Sequence, residues 1–227
     1  MLTIGFFGFG RMGQALASRL SRHYEVLAYD QEENKTLEVQ LYGASRTIDL
    51  SALCAAKVII LALPPAAIPE AVNDIGPFLK PGHILVNIAT TFSTKELALL
   101  IKDKCHVAAA KIVGHAAEIM AGETPVVVVW ADNEIVSKKV SEIFNGPGTV
   151  VFDREEVVRD INVLAAREAI YAVLRIREQM AMLGISENYL SPAIRGVAAG
   201  TMKAFLTGDI GPFAKQIVED FLAEKRN

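Results

Sequence analysis

The stretch Leu2-Thr3-Ile4-Gly5-Phe6-Phe7-Gly8-Phe9-Gly10-Arg11-Met12-Gly13 decides how the rest of the chain is read. Its first six residues have the apolar, β-prone character of a short buried strand. The glycines follow without a gap, and a helical pattern starts at once, with Met12, Ala15, Leu16 and Leu20 on one face. A second strand, Glu25-Val26-Leu27-Ala28-Tyr29, ends in Asp30. Strand, glycine turn, helix, strand and terminal acid in this order make a dinucleotide-binding unit.

Each position has a physical task. Gly8 permits the tight turn out of the strand, Gly10 leaves room for a pyrophosphate to approach the backbone, and Gly13 lets the helix pack closely on the strand. The free N–H groups of the first helical turn, which includes Arg11 and Met12, and the helix dipole both favour a bound diphosphate. Phe9 completes the loop. Asp30 is placed to accept hydrogen bonds from the ribose hydroxyls of an adenosine, and a 2′-phosphate there would meet a like charge. Glu32 and Glu33 follow, and no arginine lies between Asp30 and Lys35. The loop therefore predicts NAD(H) in preference to NADP(H).

Bulk properties narrow the class. The chain has 227 residues, 52% of them hydrophobic, and a formal net charge of -3. That length suits one or two domains. With no basic stripe, nucleic acid and anionic membranes are not expected partners. The N-terminal apolar run is only a strand long, which predicts neither a secretion signal nor a membrane span. Cys54 and Cys105 stand far apart, so no disulfide scaffold is expected. No cluster of His, Cys, Asp or Glu has metal-ligand spacing, and a cytoplasmic enzyme without a metal is the expectation.

Beyond Asp30, strands and helices alternate. Gln31 to Tyr42 reads as a helix stopped by Gly43, Ala44 to Thr47 as a short strand, and Asp49 to Ala55 as a short helix. Lys57 to Leu63 is a β-branched run suited to a parallel strand covered on both faces, ended by Pro64-Pro65. Ile68 to Leu79 is helical, and His83 to Ile88 is the next buried strand. Ser93 caps a helix running to Lys102, with Glu96 completing a capping box. Val107 to Val113 and Thr124 to Trp130 are strands separated by a loop or short helix, Asn133 to Phe144 is helical, and Thr149 to Phe152 is a last strand. The pattern predicts an α/β fold built on a doubly wound parallel sheet.

At Asp153 the character changes. Arg154 to Leu183 reads as one long helix, apolar around most of its circumference from Val163 to Leu174. A second helix spans Ser191 to Leu206 and a third Pro212 to Lys225. Residues 1–153 thus form a nucleotide-binding domain and residues 154–227 a helical one. A helix apolar on nearly all sides must be buried on nearly all sides, which predicts a homodimer through these C-terminal helices.

The chain resembles the pyrroline-5-carboxylate reductase family, and more loosely the 6-phosphogluconate and hydroxyisobutyrate dehydrogenases. The residues that carry the likeness are Gly8-Phe9-Gly10-Arg11-Met12-Gly13, then Val58-Ile59-Ile60-Leu61-Ala62-Leu63-Pro64-Pro65, then Tyr171-Ala172, Gly184-Ile185 and Gly196-Val197-Ala198-Ala199-Gly200-Thr201-Met202. The resemblance implies an N-terminal Rossmann domain, an all-helical dimerisation domain and hydride transfer to a carbon–nitrogen double bond. The family's Met-Pro-Asn-Thr-Pro stretch, which lines its substrate site, corresponds here to Lys111-Ile112-Val113-Gly114-His115-Ala116-Ala117. Its Ser-Gly-Ser-Gly-Pro-Ala-Tyr corresponds to Ala165 to Tyr171.

Ligands of open α/β sheets sit beyond the carboxyl ends of the strands. Leu63 and Pro64, with Ala89 after the next strand, are therefore expected to line the nicotinamide end. His115 is the first candidate for a proton donor, since an imidazole titrates near neutral pH. Lys111 is the second, as donor or as carboxylate anchor. His23, His83 and His106 are expected away from the cleft. Arg167 and Glu168 read as a structural ion pair. The reading that follows is an NAD(P)-dependent oxidoreductase acting on a small imine or carbonyl. The altered substrate motifs keep open an alternative, a nucleotide-binding regulatory or sensor dimer without turnover.

Overall fold

The computed structural model describes residues 2–225; Met1, Arg226 and Asn227 lie outside the described residues. The chain forms two compact units, Met1–Val163 and Leu164–Asn227.

The first unit is built on one eight-stranded sheet of order β3-β2-β1-β4-β5-β6-β7-β8. Its strands are β1 (Thr3–Phe7), β2 (Glu25–Tyr29), β3 (Ser45–Arg46), β4 (Val58–Leu61), β5 (Ile84–Asn87), β6 (His106–Val113), β7 (Val126–Trp130) and β8 (Thr149–Phe152). Strands β4 and β5 are buried along their whole length, as continuous aliphatic runs in a covered parallel sheet should be. One face carries α1 (Arg11–Leu20) and α6 (Glu134–Phe144), whose Leu16, Leu20, Val140 and Phe144 close over Ile4, Ile60 and Val86. The other carries α3 (Ile68–Ile75) and α4 (Thr94–Ile101), whose Ile68, Ile75, Leu97 and Ile101 close over Phe7, Ile59, Leu61 and Leu85. The short helix α2 (Leu50–Leu53) starts on Asp49, whose carboxylate accepts from Ser51 N. The box predicted at Ser93 is formed: its hydroxyl accepts from Glu96 N while the Glu96 side chain accepts from Ser93 N.

Two expectations are corrected here. The segment Gln31 to Tyr42 is not one helix but two short 3-10 turns, Glu33–Thr36 and Val39–Tyr42. Only Thr36 and Val39 are buried along it, too few to hold a continuous amphipathic face. Gly43 still stops it, at φ 70.

The sheet is also not parallel throughout, because β7 runs antiparallel to β6. The cause lies in the connection. The only helix between them, α5 (Ala116–Met120), has 5 residues. That gives a rise of about 7.5 Å, too short to carry the chain back along β6, so β7 must start where β6 ends. Arg19 holds this reversal, donating to Ile119 O at 2.8 Å and Glu123 O at 2.7 Å.

The register has a further effect. Strand β5 pairs with β6 only as far as Asn87↔Ala109, so Ala110 to Val113 extend past it, and β7 pairs with Ala109 to Val113. Strand β8 is parallel to β7 and runs back toward the end of β5, so the chain after Phe152 arrives beside the β5–α4 loop.

The compact unit runs ten residues beyond the change of character at Asp153, because the first turns of α7 (Glu156–Met182) belong to it. Glu155 and Val158 are buried, and Asn162 donates to Ile112 O at 2.9 Å.

The second unit continues α7 and adds α8 (Leu190–Pro192), a π-helical segment Ala193–Ala198, α9 (Ala199–Thr207) and α10 (Pro212–Glu224). The helix expected from Ser191 to Leu206 is thus present with a widened centre. Within one chain Val158 is the one buried residue of α7, while Ile170, Leu174, Phe205 and Phe213 are exposed. Arg167 Nε and Glu168 Oε1 pair at 3.3 Å, both half-exposed.

Candidate functional site

The glycine loop has the geometry its sequence requires. Gly8 adopts φ +92, and a Cβ there would lie 2.5 Å from Ala62 O. Its N–H donates to Tyr29 O at 2.8 Å, which ties β1 to the end of β2. A Cβ on Gly13 would meet Gly8 O at 2.9 Å, so the helix start is pressed against the turn. Gly10 is different: a Cβ there meets nothing within 4 Å. The fold does not need a glycine at position 10, but a ligand at the N-terminus of α1 would.

Asp30 braces this loop. Its Oδ2 accepts from Phe9 N at 2.7 Å and its Oδ1 from Glu32 N at 2.9 Å. Each oxygen keeps a further lone pair for a ligand. Phe9 contributes through its backbone; its ring is fully buried against Phe6 and Tyr42. Two cations near it are paired with the acids that follow, Lys35 with Glu32 at 2.6 Å and Arg46 with Glu33 at 3.2 Å.

Beside the loop lies a cleft of about 630 Å³. Gly10, Arg11, Met12 and Asp30 line it at one end with Glu32 and Lys35. Leu63, Pro64, Ala89 and His115 line it elsewhere, as expected, together with Thr90, Thr91 and Asn162. Charge is thus concentrated beside α1 and Asp30. The walls after β4, β5 and β6 offer apolar surface, two threonine hydroxyls and an imidazole, and α7 adds the Asn162 amide. His115 is the exposed residue that precedes α5, and its ring makes no hydrogen bond among the described residues.

Lys111 is not in this cleft, which corrects the expectation that it donates a proton there. It is 1% exposed and lines a separate, smaller cavity of about 150 Å³ with Glu155, Glu96 and Arg159. Its Nζ donates to Ala89 O and Phe92 O and pairs with Glu155 Oε2 at 3.4 Å. Burial pushes the ammonium down to about 8, against the charges of Glu155, Glu96 and Glu156, which pull it up. Its three donors face three acceptors, and none is left for a ligand.

Asn162 is a polar cleft residue from α7 that the sequence pattern does not point to. The available signal was an uncharged amide between Ile161 and Val163 in an apolar stretch. His83, as expected, lies outside the cleft, bonded to Cys54 O and Lys80 N.

Residues 3–91, from β1 through the threonines of the cleft, match the family described as NADP oxidoreductase, coenzyme F420-dependent. No curated protein matches the chain in sequence. Among solved structures, the chain is similar to a pyrroline-5-carboxylate reductase from Coxiella burnetii, with TM-score 0.72, 14% identity, and coverage of 96% of this chain and 84% of that one. The Plasmodium falciparum pyrroline carboxylate reductase, solved with NADP bound, gives TM-score 0.70, 16% identity, and coverage of 96% and 83%. An imine reductase from Pseudomonas sp. gives TM-score 0.68, 17% identity, and coverage of 98% and 87%.

The fold is that of the pyrroline-5-carboxylate and imine reductases.

The resemblance read from the sequence is therefore met in the architecture over nearly the whole chain. Among the described residues, no helix is long and apolar enough to cross a membrane, and no group of three or more His, Cys, Asp or Glu could hold a metal ion.

Proposed function

We propose that this chain is a dimeric, NAD(P)-dependent reductase that delivers hydride to a small imine or related carbonyl compound. The observation that carries the reading is the open space at Gly10. It lies at the N-terminus of α1, in a cleft that runs from Asp30 to apolar walls at the ends of β4 and β5. The family match over residues 3–91 supports an oxidoreductase nucleotide site, and neighbours that reduce carbon–nitrogen double bonds support the substrate class.

A reduced nicotinamide, when bound, supplies the hydride. The chain supplies the rest. Gly8, Gly10 and Gly13 shape the phosphate cradle, with Phe9, Arg11 and Met12 around it. Asp30 takes the adenosine ribose, while Leu63, Pro64 and Ala89 form the apolar wall and exclude water. His115 donates the proton that the reduced nitrogen or oxygen acquires. We infer NADH over NADPH, because Asp30 and Glu32 line the ribose end of the cleft, where a 2′-phosphate would meet like charge, and Lys35 there is paired with Glu32. The apolar side chains exposed on the second unit support a homodimer through the C-terminal helices. The unpaired Cys54 and Cys105 suit the cytoplasm.

The test is loss of NADH absorbance with pyrroline-5-carboxylate and a panel of simpler cyclic imines, repeated with NADPH. Turnover with NADH is expected. His115→Ala is expected to lower kcat by about a hundredfold while NADH affinity is retained. Nucleotide binding without turnover on any imine or carbonyl would replace this reading with the sensor dimer.

A further inference from the structure

The Lys111–Glu155 pair serves neither the core nor the cleft directly, yet every contact it makes converges on one segment. Lys111 Nζ donates to Ala89 O and to Phe92 O at 2.8 Å. Glu155 accepts from Thr94 N through Oε1 and from the Thr94 hydroxyl through Oε2, each at 2.7 Å. From inside the sheet, Asn87 donates to Phe92 O at 2.7 Å and accepts from Ala89 N at 3.0 Å. The backbone from Ala89 to Thr94 is thus held at both ends by three polar side chains, from β5, from β6 and from the turn just before α7. Between the anchors stand Thr90 and Thr91, which are shared by the large cleft and the small cavity. They form a wall with the ligand cleft on one side and the ion pair on the other.

An apolar residue would fill the Lys111 site without the cost of burying a charge, and buried pairs are often no more stabilising than hydrophobic replacements. What the pair adds is a fixed position for the carbonyls that close the wall.

We propose that Lys111, together with Glu155, is a positioning pair that sets the Ala89–Thr94 segment against the nicotinamide half of the cofactor. This rests on the cofactor reading above. It makes the pair a determinant of how the reactive half of the dinucleotide is held, while the glycine loop and Asp30 hold the other half. Glu96 and Glu156 also act on the Lys111 ammonium, so substitutions must leave them in place.

The two halves of the ligand allow a direct test by measuring dissociation constants for NADH and for ADP-ribose, which lacks the nicotinamide. For Lys111→Met with Glu155→Gln, a double variant that leaves no unpaired buried charge, ADP-ribose affinity is expected to stay within about twofold of wild type. NADH affinity is expected to fall about tenfold. Lys111→Arg, which keeps the charge, is expected to recover part of that loss, whereas a merely structural role would make arginine no better than methionine. Unchanged NADH affinity, or equal loss for both ligands, overturns the proposal. Should the double variant not fold, Glu155→Gln alone carries the comparison, with a smaller selective loss of NADH expected and its absence refuting the idea. Wild-type protein that binds neither ligand overturns the cofactor reading, and this proposal falls with it.

Discussion

Gly10→Ala separates what the glycine loop does for the fold from what it does for a ligand. The backbone at Gly10 is extended, with φ -71 and ψ -174, a conformation open to alanine. Beyond its adjoining residues, no atom lies within 4 Å of the new methyl group. Alanine is a poorer N-cap than glycine by about 1 kcal/mol but restricts the unfolded chain by a similar amount, so the two effects largely offset and stability should change by less than about 1 kcal/mol. The methyl would occupy the space where a pyrophosphate meets the first turn of α1, and NADH affinity should fall by about tenfold or more. Gly8→Ala is the contrasting control. At φ +92 the residue lies where alanine is strained, and its methyl would sit 2.5 Å from Ala62 O and 2.8 Å from Leu63 Cδ2. Backbone strain of about 1–2 kcal/mol and overpacking of about 1–3 kcal/mol sum to about 2–5 kcal/mol of destabilisation. Thermal unfolding followed by circular dichroism and NADH titration by fluorescence measure both quantities. A Gly10→Ala protein that binds NADH like wild type would refute the placement of the cofactor on this loop. A Gly8→Ala protein as stable as wild type would refute the account of the turn.

Asp30→Asn keeps an acceptor for Phe9 N or Glu32 N but removes a charge, and should move the NADH-to-NADPH affinity ratio about tenfold toward NADPH; an unchanged ratio assigns cofactor selection to other groups. Lys111 titrates at about 8 in the folded protein, against 10.5 when exposed, so between those values the unfolded chain binds more protons and the free energy of unfolding rises with pH. The rise amounts to about 3 kcal/mol. Denaturant unfolding of wild type and Lys111→Met across this window should show wild type gaining relative to the variant, and parallel curves would sink the assignment. Ile170→Glu places a charge on an apolar face that is 58% exposed in one chain. Sedimentation should show a dimer for wild type and a shift toward monomer for the variant, while a monomeric wild type would refute the homodimer.

The parts legible in the sequence are those decided by neighbours along the chain. The β1–α1–β2 unit, Asp30, the aliphatic strands β4 and β5 and the Ser93 capping box each depend on residue types a few positions apart. The reversal at β7 does not. It depends on the length of α5 and on Arg19, about 100 residues away, gripping its carbonyls. The place of Lys111 is hidden for the same reason. In the run Ala108-Ala109-Ala110-Lys111-Ile112-Val113 a lysine with unknown partners looks available for chemistry, whereas its acceptors come from residues 89, 92 and 155. Asn162 is hidden because α7 reads as the opening of a separate helical domain, although its first turns belong with the sheet.

The overhang of β6 past β5 has a consequence for the order in which the cleft acquires its shape. The neighbours β1, β2, β4 and β5 can pair without β7 or β8. The wall at Ala89 to Thr94 is complete only when Glu155 docks, and Thr94 N–H is held by a carboxylate 61 positions later in the chain. Closing that loop is a late event when long-range contacts form after local ones. Excursions that release β8 therefore expose the Thr94 amide while the amides of β4 and β5 stay protected. In native-state hydrogen exchange, the rate at Thr94 then reports how often the wall of the cleft comes undone while the rest of the sheet remains folded.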